Sequence, residues 1–153
     1  MATRKYTGWD KNGTGTAPGL KALMDIILFL NAGKTSNLGT FMIRDMKGKP
    51  GKPSVHSTGR AGDIGWSDRH AIEGVMDWLV ANNETLDVEY VADYNPEPGG
   101  RGWRCDRAEG WKSYPKGLIH GAPGGKWIHV EVGPRLGFDK AGMEAAIKKA
   151  LGA

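Results

Sequence analysis

Twenty-four of the 153 residues are glycine, about twice the ordinary share of roughly 7%. Most of them fall outside the segments that carry helical periodicity. Glycine weakens the interior of a helix or strand and serves where the chain must turn tightly. The chain is therefore expected to build long, shaped loops on a small scaffold. Its length suits one domain, 1–153, with a hydrophobic core that needs no disulfide staple. Residues 1–16 are expected to form an irregular Gly/Thr-rich lead-in.

Regular elements are legible between the loops. Pro18 suits a helix first turn, and Leu20, Leu23, Met24, Ile27 and Leu28 follow at helical spacing, with Gly33 as the stop. Residues 39–44 read as a short strand, and KGKPGKP at 47–53 as a flexible basic loop. A second helix is expected over 68–82, capped by Ser67 or Asp68, with Ile72, Val75, Met76 and Leu79 as its buried stripe. Residues 86–92 read as a strand, and 94–125 as a long loop rich in Gly, Pro, Trp and Arg. In the strand 126–132, Ile128, Val130 and Val132 share one face while His129 and Glu131 share the other. Asp139 caps a last helix over 140–151. The pattern is α+β, with about three helices packed on a small antiparallel sheet.

Composition removes several classes of function. Cys105 is the only cysteine, which excludes an internal disulfide and a Cys-cluster zinc site; no partnered base marks it as a nucleophile, and it reads as a small buried residue. A net charge of +4 suits either an anionic partner, such as nucleic acid or a cell-wall polymer, or plain solubility. The basic residues are scattered without a nucleic-acid-binding signature, so no nucleic-acid partner is expected. The apolar run from Leu20 to Leu30 is interrupted by Lys21 and Asp25 and is too short to span a bilayer, so no membrane partner is expected either. MATRKYTGWDKNG has no apolar core. It does not read as a secretory signal, and synthesis in a cytoplasm is expected.

The densest polar feature is Ser54-Val-His56-Ser-Thr-Gly59-Arg60-Ala61-Gly-Asp63. A loop that brought His56 and Asp63 together could set one imidazole and one carboxylate on a metal, with His129 as third ligand from the polar face of its strand. Two His and one carboxylate leave the fourth position of a tetrahedral zinc open, the catalytic arrangement. On spacing alone the same residues also read as surface or capping groups.

SVHSTGRAGD matches the Ser-x-His-x-x-Gly-Arg-Ala-x-Asp signature at every position, and WIHVEV resembles a later His-bearing strand. Together they resemble the zinc peptidase superfamily that unites D-alanyl-D-alanine carboxypeptidases, related phage endolysins and the hedgehog signalling domain. The order of elements over roughly 18–135 agrees. The resemblance implies one zinc ion held by His56, Asp63 and His129, with Ser54 and Arg60 shaping the loop or binding substrate. Peptide-cleaving members usually carry an acid three residues before the last His; here that position is Lys126. Glu131, on the same strand face as His129, could act on the attacking water or instead hold a ligand. His120 could serve as base or orient substrate, or be an exposed loop residue. A loop insertion could also bring Asp106 or Glu109 into the role.

Trp103, Trp111 and Tyr114 lie among Arg101, Arg104, Arg107 and Lys112. They either wall a groove for a peptide stem or sugar, with Trp103 and Trp111 binding substrate, or pack the long loop onto the sheet. His70 reads as a surface or capping residue. Two functions follow as expectations. One is a zinc-dependent peptidoglycan peptidase of a bacteriophage, cleaving the stem peptide at a D-alanine-containing bond as an endolysin or a tail-associated wall-cutting protein. It would be made in the host bacterial cytoplasm and act at the cell wall or in the virion. The other is a non-catalytic structural or wall-binding virion component, associated with other tail proteins, that keeps the fold and the metal.

Overall fold

A computed structural model describes residues 3–152. The elements in chain order are α1 (Pro18–Leu30), β1 (Thr35–Gly39), a single 3₁₀ turn (Val55–Thr58), β2 (Ala61–Trp66), α2 (Arg69–Ala81) and α3 (Asn83–Leu86); β3 (Val88–Asp93), β4 (Arg101–Arg104), β5 (Trp111–Ser113), β6 (Trp127–Val132), α4 (Pro134–Gly137) and α5 (Lys140–Ala150) follow. The six strands form one antiparallel sheet in the order β1-β2-β6-β3-β4-β5. The α+β expectation holds, with three long helices and two single-turn ones. No helix among the described residues is long and apolar enough to cross a membrane.

The helices form where sequence and capping agree. Pro18 opens α1, and Leu20, Leu23, Met24 and Ile27 are buried along it. The Asn31 side chain donates to the Ile27 carbonyl, so the helix closes ahead of Gly33. The Asp68 carboxylate accepts from Ala71 N–H at the start of α2, and Asp139 does the same for Gly142 at α5; each satisfies an orphan donor of a first turn. His70 is exposed on the first turn of α2.

Strand alternation divides the sheet into two faces. Gly62 pairs with Val130 and Ile64 with Ile128, Val91 with Val130, and Trp103 with Val91. Ile64, Val91, Trp103, Ile128 and Val130 belong to the core with α1, α2 and α5. Gly62 lets α1 approach closely, because a Cβ there would overlap the Met24 sulfur. The intervening residues, Asp63, Tyr90, Ala92, Gly102, Arg104, His129 and Glu131, fall on the opposite face.

Three expectations about elements need correction. The strand expected at 39–44 ends at Gly39, and residues 40–44 run irregularly, pinned to the 3₁₀ turn: Ser57 Oγ contacts the carbonyls of Met42 and Arg44 and accepts from Arg44 N–H. The signature segment is only half a loop, since from Ala61 it becomes a strand inside the sheet. The long loop over 94–125 contains β4 and β5. Residues 3–16 of the lead-in run irregularly and are tied across the sheet: Arg4 donates to Val88 O at 2.6 Å, and Thr7 donates through N–H and Oγ1 to Glu89. Gly13 N–H reaches Ser57 O, and Ala17 N–H reaches Gly59 O.

Candidate metal centre

Two adjacent strands and one turn build the site. Asp63 on β2 and His129 on β6 are direct cross-strand partners, so their side chains rise side by side from the face away from the helices. His56 comes from the 3₁₀ turn just before β2. That turn starts at Ser54, whose Oγ accepts from His56 N–H at 3.2 Å, and stops at Gly59, in the left-handed conformation at φ +84°. A Cβ on Gly59 would collide with the Gly15 carbonyl, so glycine is required there both for backbone conformation and for contact with the lead-in.

His56, Asp63 and His129 each present a ligand atom, and these atoms lie within 4.8 Å of one another. Asp63 Oδ1 is 2.9 Å from His129 Nδ1, and Asp63 Oδ2 is 3.2 Å from His56 Nε2. The far nitrogen of each imidazole is fixed from behind. His56 Nδ1 lies 2.5 Å from the Thr40 carbonyl, and His129 Nε2 lies 2.7 Å from Glu131 Oε2. With those two nitrogens donating, His56 Nε2 and His129 Nδ1 remain to face the Asp63 carboxylate. A carboxylate or backbone carbonyl behind each ligating imidazole is the arrangement that sets tautomer and ring orientation at metal sites. The donor set of two imidazoles and one carboxylate suits zinc with an open coordination position.

The charges have settled accordingly. Burial disfavours a charged His129, but hydrogen bonds to Asp63 and Glu131 outweigh it and raise the group to about 10. Burial also pushes Asp63 upward, and the bonds from His129 and His56 override it, holding the carboxyl well below its usual range. Protons and a metal compete for the same nitrogens.

This cluster lines a cavity of about 810 Å³. Asp63 is its most open member, with a quarter of the side chain exposed against 5% for His56 and 10% for His129. Arg44, Lys47, Lys49, Arg104 and Arg107 line it, and among the described residues Asp63 and Glu131 are its only lining carboxylates. Arg104 is held by Asp106, and Arg107 donates to the Tyr114 hydroxyl at 2.8 Å.

The remaining candidates separate. His120 lines the cavity and is exposed. Glu131 also lines it, but both oxygens are taken: Oε2 by His129 and Oε1 by the Tyr6 hydroxyl at 2.5 Å. It faces the back of His129, away from Asp63, an arrangement that suits the expected alternative of holding the imidazole better than a catalytic role. Lys126 is exposed outside the cavity lining. Ser54 lines the cavity, with its hydroxyl spent on the turn.

Three expectations of substrate contact are corrected. Arg60 is fully buried, and its guanidinium donates to Val132 O, Gly8 O and Asp10, so it clamps the lead-in to β6. Trp103 and Trp111 are cross-strand partners on the helix-facing side. Trp103 is 2% exposed in the core, and Trp111 packs against that core under the Arg101 guanidinium, 4.1 Å above its ring. Strand parity turns both indoles away from the cavity. Asp106 and Glu109 are likewise absent from its lining. Cys105 is buried, which pushes its thiol up to about 11.

The residue missed from sequence is Tyr6. It sits 125 positions from Glu131, and a single tyrosine in a polar lead-in carries no local signal of that contact. The supporting Thr40 carbonyl is a backbone group and has no sequence signal at all. No family model matches the chain, and neither a curated protein nor a solved structure matches it.

Proposed function

We propose that this chain is a zinc-dependent hydrolase that cleaves peptidoglycan stem peptides at a D-alanine-containing bond, working for a bacteriophage as an endolysin or as a tail-borne wall-cutting protein. The observation that carries the proposal is the convergence of His56 Nε2, Asp63 and His129 Nδ1 in the lining of a cavity, with the carboxylate the most exposed of the three. The substrate class rests on the likeness of SVHSTGRAGD and WIHVEV to the D-alanyl-D-alanine peptidase superfamily.

His56, Asp63 and His129 would hold the zinc ion, which would supply Lewis acidity toward the scissile carbonyl and the attacking water. The chain supplies the rest. Thr40 O and Glu131 keep the two imidazoles in place. Arg44 and Arg107 on the cavity wall suit a carboxylate of the substrate, since a guanidinium offers donors in a planar fork. His120 is the lining imidazole outside the metal cluster, and it is assigned the proton transfer to the leaving amine.

A second reading has its own observation. Both carboxylates that line the cavity are engaged by histidines, and Lys126 stands where the superfamily usually has an acid. A metal-bearing wall-binding or structural virion component would have this arrangement. Zinc content of the wild type and His56→Ala, with mass spectrometry of digested peptidoglycan, tests both. Stoichiometric zinc in the wild type alone, with released D-alanine or cut stem peptide, supports the hydrolase. Bound zinc without any product supports the second reading.

A further inference from the structure

The lead-in, polar and without regular structure, contributes a side chain to the metal centre. Tyr6 crosses the polar face of the sheet and places its hydroxyl on Glu131 Oε1, while Glu131 Oε2 meets His129 Nε2. Glu131 is 4% exposed. Losing the Tyr6 donor would leave a buried carboxylate oxygen without its hydrogen bond, a costly state that the side chain relieves by turning. Turning Glu131 releases His129. We propose that Tyr6 is a positioning residue of the metal centre, holding Glu131 so that His129 keeps its Nε2 proton and presents Nδ1 to the metal. The proposal rests on the reading of His56, Asp63 and His129 as metal ligands.

The surroundings of Tyr6 make the hydroxyl separable from the ring. The ring meets Tyr90 edge-on, with centroids 6.4 Å apart, and the Arg104 guanidinium lies 4.5 Å from its centroid. Neighbouring bonds anchor the segment independently: Thr7 on Glu89, and Arg60 on the Gly8 carbonyl and Asp10. Tyr6→Phe therefore removes one hydrogen bond and keeps the ring seated.

The test compares zinc affinity, by competition with a chromophoric chelator, in the full-length wild type, Tyr6→Phe, Thr7→Val and Glu131→Gln. Thr7→Val weakens the same segment without touching Glu131. Tyr6→Phe is expected to lose about 10–100-fold in affinity, the usual cost of removing an outer partner of a ligand, with a changed cobalt(II) visible spectrum. Thr7→Val is expected to keep both. In the Glu131→Gln background, Tyr6→Phe is expected to add little, because both changes break one chain of contacts. Nitrogen-15 NMR of the metal-free protein gives a readout independent of zinc, with the His129 Nε2 proton protected in the wild type and exchanging in Tyr6→Phe. A wild type that binds zinc beside a Tyr6→Phe of equal affinity and spectrum overturns the proposal alone. So does equal loss in Thr7→Val, which would mark a merely structural segment. A wild type that binds no zinc overturns the metal reading and this proposal together. If Tyr6→Phe does not fold, Glu131→Gln decides: unchanged affinity there overturns the proposal.

Discussion

The two faces of the sheet are built from alternate residues of the same strands and have opposite character. On β6, Ile128, Val130 and Val132 point to the helices and are buried among apolar groups, while His129 and Glu131 between them point to the cavity and are buried among polar ones. Both faces bury side chains, although the second also opens onto the cavity. The helix face buries side chains that need no partner, whereas His129 and Glu131 are buried with their hydrogen bonds met across the strands and by the lead-in. Substitutions on the first face should cost stability, and substitutions on the second should cost metal affinity.

The largest expected stability effect lies on the helix face. Ile128→Ala deletes a fully buried side chain and should lower unfolding free energy by about 2–5 kcal/mol, read from urea denaturation. The folded fraction should bind zinc as the wild type does. Zinc binding lost in step with stability would break the distinction between the faces.

Asp93 tests a charge on the helix-facing parity. It pairs across the strands with Ile128, is fully buried and accepts from Arg69 and Arg101. Burial alone would raise its pKa, but the two arginines outweigh burial and lower it. A carboxyl depressed in the folded state stabilises above its unfolded value of about 3.9. That contribution is lost as pH falls through the folded value. Asp93→Asn should cost about 1–3 kcal/mol at pH 7, and its stability should fall less steeply than the wild type's between pH 4 and the acid limit.

Trp111→Ala should cost about 1 kcal/mol through the lost Arg101 contact, with zinc affinity and binding of a stem-peptide ligand unchanged. A loss of peptide binding would return that indole to the groove. Smallest is Lys126→Ala, an exposed position outside the cavity lining, expected within about 0.5 kcal/mol of wild type and with unchanged zinc affinity.

What was legible in the sequence follows the same division. Period-3.6 apolar patterning exposed α1 and α2, the Asp139 cap marked α5, and period-2 alternation assigned the two faces of β6, because burial and capping leave a regular trace. β2 was hidden: Ala61, Gly62 and Gly65 have little strand propensity, and the sheet uses them for close approach, as at Gly62 beneath Met24. The strand expected at 39–44 misled in the other direction, since Met42 and Ile43 are more than half exposed and the apolar run reflects no buried face. His56, Asp63 and His129 were found by motif and strand parity. Parity also turns Trp103 and Trp111 inward, but it could be applied to them only once β4 and β5 were known as strands. Tyr6 was illegible because its meaning lies in a contact across nearly the whole chain.

Zinc affinity of the wild type against Asp63→Asn tests the central claim most directly, because the Asp63 carboxylate meets both histidines. The account predicts that the wild type takes up one zinc ion per chain and that Asp63→Asn, still folded, loses it. A wild type without zinc, or an Asp63→Asn protein that binds it equally well, would contradict the account.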